Sequence, residues 1–123
     1  MAKSINKILR KNKSGYKVTG TLWVEYESER FFGPGRVELL KRIQETGSIN
    51  KAAKGMKMSY KKAWEMVAAL NKQSALPLVI LKTGGEHGGG SQVTDEAMDL
   101  IRYHEALRKR FIAFLQKETD RLA

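Results

Sequence analysis

Ser59, Lys61, Lys62 and Glu65 stand within one short run, S-Y-K-K-A-W-E. Their side chains suit nucleic-acid chemistry. A lysine ammonium pairs with phosphate or a guanine edge, and a glutamate accepts from the cytosine amino group. A serine at a helix start offers phosphate its hydroxyl and the neighbouring backbone N–H groups. Just upstream, Ser48, Lys51 and Lys54 repeat the combination in S-I-N-K-A-A-K. Catalysis finds no comparable set. The chain has no cysteine, its two histidines (His87 and His104) are far apart, and no paired-carboxylate motif occurs. Neither an enzyme, nor a metal site, nor a cofactor is expected.

Two helices must position these groups. Ser48 is an N-cap, followed by a helical run in which Ile49, Ala52 and Ala53 share a face. Gly55 is expected to end that run in the left-handed conformation. Ser59 caps a second helix, from Tyr60 to about Asn71, whose apolar stripe is Tyr60, Ala63, Trp64, Val67 and Leu70. Lys61, Lys62, Glu65 and Ala69 lie opposite. By angle Tyr60 and Trp64 are mainly core, though Tyr60 also stands in the first turn beside the groove candidates. Helix, glycine turn and helix with a basic face form the helix-turn-helix pattern, whose second helix enters the major groove of double-stranded DNA. Two amphipathic helices around a glycine occur in many folds, so charge must help decide.

The net charge is +10, and its location is informative. Residues 1–17 hold six basic residues and no acid, and residues 48–72 hold six basic residues and only Glu65 as an acid. The rest of the chain sums to −1. The excess therefore sits on an N-terminal arm and on the helix pair, which points to a polyanion partner. A non-specific nucleoid-type or RNA-binding module would use the same charge without reading bases, and it is the alternative. The composition is 41% hydrophobic, enough for a core in a chain of 123 residues. No stretch approaches the ~18 apolar residues of a spanning helix, and the basic N-terminus lacks the apolar segment of a secretory signal. The setting expected is cytoplasmic, without a membrane partner.

In chain order, residues 1–15 form a flexible basic arm, in which Ile5, Ile8 and Leu9 make one weak helical turn. Residues 16–26 alternate as a strand, Glu27 to Arg30 turn, and Phe31-Phe32 return. Gly33-Pro34-Gly35 stops the extended region, and a helix follows from Arg36 to Thr46, ended by Gly47. Leu78 to Leu81 is a short strand. Five glycines then fall within residues 83–91, and Gln92 to Thr94 resumes an extended path. Strand, glycine-rich tip and strand after a recognition helix is a wing. Lys82, Thr83, Gly84, Gly85, His87, Gly88 and Gly89 are its candidates for the DNA backbone. Thr94 caps a last helix running to about Arg121. Its apolar face includes Ile101, His104, Leu107, Phe111, Phe114 and Leu115. It is broad, and the later half is too long for so small a domain, so these six are the candidate homodimer interface. His104 is expected to be a satisfied interface histidine.

G-S-I-N-K-A-A-K-G-M-K-M-S-Y-K-K-A-W-E-M-V-A-A-L-N, followed by T-G-G-E-H-G-G-G-S-Q-V-T-D-E-A-M-D-L-I, resembles the N-terminal DNA-binding domain of ModE-type molybdate-responsive regulators. The likeness is carried by S-Y-K-x-A-W, the glycine-rich wing and the entry to the last helix, and spans about residues 20–115. LysR-type helix-turn-helix domains are more distantly similar. The resemblance implies an α+β, mostly helical winged helix-turn-helix that binds palindromic promoter DNA as a homodimer. The expected division is a basic arm at 1–15, the DNA-binding domain at 16–94 and a dimerisation helix at 95–123. Full regulators continue into an oxyanion-sensing region. This sequence does not, so it is not expected to hold molybdate.

Overall fold

The computed structural model describes residues 5, 7–12, 15–82 and 90–122. They form two compact units, one from residues 23–104 and a smaller one from residues up to Leu22 together with Glu105 onward.

In the larger unit β1 (Val24–Tyr26) and β2 (Glu29–Phe32) pair antiparallel. The turn between them is only Glu27-Ser28, and both residues have positive φ (49° and 69°), as a two-residue connection between right-twisted strands requires. Glu29 and Arg30 are therefore strand rather than turn. The strand expected over 16–26 is confined to its last three residues. Val24 already pairs with Phe32, and the partner chain then leaves the sheet at Gly33, so residues before Val24 have no strand to pair with.

Gly33 is fixed by space. A Cβ there would lie 2.5 Å from the Trp23 ring, whose indole also carries the Arg30 guanidinium 4.4 Å from its centroid. The extended region stops at Phe32, and Pro34 opens α1 (Pro34–Thr46), two residues earlier than expected, at a first position where a missing N–H costs nothing. Gly47 ends α1 at φ 69°. α2 (Ile49–Gly55), α3 (Tyr60–Gln73) and α1 bury Leu39, Leu40, Ile43, Ala52, Ala63 and Leu70 almost completely. Arg36 cross-links the layers: one guanidinium nitrogen donates to Phe31 O (2.7 Å), Arg30 O (3.0 Å) and Gln73 Oε1 (2.9 Å). Burial lowers the pKa of this guanidinium from its ordinary value.

The glycine expected to turn left-handed after α2 does not. Gly55 is helical, and the left-handed position is Lys57, at φ 56°. Met58 N donates to Ala53 O (3.0 Å) and Lys57 N to Lys54 O (3.1 Å), the paired bonds of a Schellman end. Gly55 is instead a site of close approach, since a Cβ would lie 2.5 Å from Arg42 Nη1.

β3 (Val79–Lys82) and β4 (Gly90–Val93) pair antiparallel in uninterrupted register, each placed one or two residues from the expected strand. α4 (Asp95–Asp120) follows, with Thr94 Oγ1 accepting from Ala97 N (3.2 Å) and Asp95 and Glu96 in the first turn. Ile101 and His104 are each 2% exposed. Both lie in the core of the larger unit, where His104 meets Phe32 edge-on at 5.4 Å. They have almost no surface to give a partner, which corrects their place in the expected interface.

In the smaller unit residues 17–20 run along the later half of α4. Val18 N donates to Thr119 Oγ1 (2.9 Å), and a Cβ on Gly20 would lie 3.1 Å from Phe111 Cζ. Phe111 and Leu115 are thus partly covered by their own chain, while Ile112 and Phe114 remain exposed. At the chain start the Ile5 carbonyl accepts from the Ile8 and Leu9 amides, the single turn expected there.

Candidate nucleic-acid interface

Both serine caps form as the sequence suggests. Ser48 Oγ accepts from Lys51 N (3.1 Å) and Ser59 Oγ from Lys62 N (3.0 Å). Each cap leaves the first turn of its helix facing outward. Lys51 and Lys54 are exposed on α2, and Lys61, Lys62 and Glu65 are exposed on α3. One first-turn amide of α3, that of Lys62, is already taken by Ser59. The end of the helix can therefore engage an anion through fewer amides than a bare terminus would.

Tyr60 departs from its expected core position. It is 49% exposed, and its ring stands edge-on to Trp64 with centroids 6.2 Å apart. It stands in the first turn, ahead of Ala63, Val67 and Leu70, which are the residues of this helix that are buried. Trp64, one turn later, is half-buried against the core.

The wing is fastened to this helix pair at two roots. Asn71, in the last turn of α3, donates to Val79 O (2.9 Å) and accepts from Leu78 N (2.8 Å) and Val79 N (3.2 Å). On the other strand Ser91 N donates to Gly47 O (2.9 Å), at the corner between α1 and α2. Gly90 permits that approach, because a Cβ there would sit 3.0 Å from the same oxygen. Thr94 closes the base, its N–H donating to Leu78 O (3.0 Å) and its hydroxyl to Pro77 O (2.9 Å).

These attachments enclose a cleft of about 300 Å³ between the start of α2, the start of α3 and the wing strands. Of the candidates, it brings together Ser48, Tyr60 and Lys82. Lys51, Lys54, Lys61, Lys62 and Glu65 do not line it. Thr83, Gly84, Gly85, His87, Gly88 and Gly89 lie outside the described residues. Asn50, Leu81 and Ser91 also line the cleft and were missed. Asn50 could have been found from its place in the first turn after Ser48. Leu81 could not, because a leucine in a short apolar strand gives no sign of exposure.

Helix, turn, recognition helix and a hairpin rooted beside it define a winged helix-turn-helix. No family model matches the chain. It is 44% identical over 88 residues to the transcriptional regulator ModE of Haemophilus influenzae, covering 72% of this chain and 34% of that protein. With the molybdenum transport protein ModE of Azotobacter vinelandii it shares 38% identity over 87 residues (71% and 32%). With the molybdenum-pterin-binding protein MopB of Rhodobacter capsulatus it shares 43% over 75 residues (61% and 28%). The chain spans about a third of the length of these relatives. Within the winged helix-turn-helix class it is similar to the N-terminal part of ModE-type regulators.

Proposed function

We propose that the chain is a sequence-specific DNA-binding module of a bacterial transcription regulator. It grips double-stranded promoter DNA as a homodimer. The observation that carries this is the exposed first turn of α3, where Lys61 and Lys62 flank the Ser59 cap beside a wing rooted on the same helix. Lys61 and Lys62 take phosphate or guanine, and Glu65 accepts from cytosine. Lys51, Lys54 and Lys82 hold the flanking backbone. The homodimer is supported by the exposure of Phe114 (56%) and Ile112 (44%) on the later part of α4. Leu107, Phe111 and Leu115 flank them there.

The test is selection of bound sequences from random duplex DNA near physiological salt, with and without molybdate. An enriched inverted repeat is expected. Binding without enrichment that vanishes as salt rises would overturn sequence specificity in favour of a nucleoid-type module.

A further inference from the structure

Two large side chains on the candidate interface carry no charge, and the charge-based reading gives them nothing to do. Tyr60 is 49% exposed and Leu81 is 56% exposed. They come from different elements, the first turn of α3 and the outgoing wing strand, yet line the same cleft of about 300 Å³. Ile49 and Trp64 form its apolar floor, and Ser48, Asn50 and Lys82 its polar rim, while Ser91, which also lines it, is buried (9% exposed). Trp64 braces the Tyr60 ring edge-on, at an interplanar angle of 88°. The aromatic surface is therefore held in place by a residue that is itself packed on the core.

We propose that Tyr60, with Leu81 beside it, reads the C5-methyl group of thymine, so that the bound half-site requires a thymine at the position facing this cleft. The inference rests on the DNA-binding function proposed above and deepens it. First-turn residues of a recognition helix are those that reach base edges. Among the natural bases, only thymine projects an apolar group into the major groove. A cleft with an apolar floor and a polar rim suits that chemistry: the methyl group meets Tyr60 and Leu81, and the rim takes the sugar-phosphate backbone on either side. Tyr60 is neutral, so its contribution is to sequence choice and not to the salt dependence that the lysines set.

The experiment uses the enriched duplex from the selection, together with copies in which deoxyuridine replaces thymidine at one position at a time. Uracil pairs as thymine does and lacks only the methyl group. For the unaltered protein, at least one position in the half-site is expected to lose about fourfold in affinity when the methyl is removed, as for one buried methyl group. Tyr60→Ala is expected to bind the thymine and uracil duplexes at that position equally, with the slope of affinity against salt unchanged. Tyr60→Phe is expected to keep the discrimination, because the contact is apolar. Tyr60 is half-exposed, so unchanged circular dichroism and melting are expected for both variants. An enriched duplex that is indifferent to uracil at every position would overturn the proposal while leaving DNA binding intact. Undiminished thymine preference in Tyr60→Ala would do the same. Failure to enrich any duplex would overturn the DNA-binding reading, and this inference with it.

Discussion

Asn71 and Val79 exchange two hydrogen bonds: the Asn71 amide donates to Val79 O at 2.9 Å and accepts from Val79 N at 3.2 Å. One side chain thereby imitates a neighbouring strand and ties the last turn of the recognition helix to the first residue of the wing. Asn71→Ala leaves the Leu78 and Val79 amides half-buried and unsatisfied, with an expected loss of about 2 kcal/mol in denaturant unfolding. Asn71→Asp should not rescue it, since a second oxygen would then face Val79 O. Amide exchange across 79–93 should quicken in both variants, and unaltered protection there would show that the wing does not depend on this tie.

Among the described residues, three with side chains sit at positive φ: Glu27, Ser28 and Lys57. Replacing Glu27-Ser28 by Asn-Gly, or Lys57 by Gly, should stabilise the protein by about 0.5–1 kcal/mol each, because those residues adopt the observed backbone readily. Gly47→Ala should do the reverse, losing about 1 kcal/mol at φ 69° even though nothing lies within 4 Å of the new Cβ. Gly55→Ala should be close to neutral. Among the described residues, the tight neighbour is the end of the Arg42 side chain, which can swing away. Thermal melts of the four variants check the signs.

How much of this was legible in the sequence depends on how local each determinant is. Ser48 and Ser59 were readable as caps because an N-cap is settled within four residues. The paired strands of the wing were readable because two short extended stretches flank a glycine-rich run. The 16–23 segment was not, because strand propensity cannot supply a partner, and Phe32 is the last residue that β1 can pair with. Lys57 could not be picked out, because the Schellman end places the left-handed residue by counting back from its hydrogen bonds, not by residue type. His104 and Phe114 show a third limit. Helical spacing gives the apolar face of α4 but not whether the chain itself covers it.

That last distinction gives a test of assembly. Phe114 is 56% exposed while His104 is 2% exposed, so substitutions at the two should separate association from stability. Phe114→Asp is expected to yield a monomer by sedimentation, with unfolding free energy per chain changed little at low concentration. His104→Leu is expected to alter melting and leave the proposed dimer intact. A dimer that survives Phe114→Asp would remove this face of α4 from the interface.

Lys61 and Lys62 should contribute to binding without contributing to folding. The double alanine variant is expected to flatten the plot of log affinity against log salt by about two, roughly one for each phosphate no longer held. Its stability should stay within ~0.5 kcal/mol of the parent, as for exposed positions. Unchanged affinity would move the DNA-binding surface off this turn of α3.

Both roots of the wing are clamped independently of anything between them, one strand at Asn71 and the other at Gly47. The segment spanning Lys82 to Gly90 is therefore a replaceable cassette. Doubling its length adds only about 0.6 kcal/mol of closure entropy. Related proteins could exchange this tip to suit different promoters without disturbing the register of the strands or the helices beneath them. The tip, and not the recognition helix, would then be where such domains diverge most cheaply.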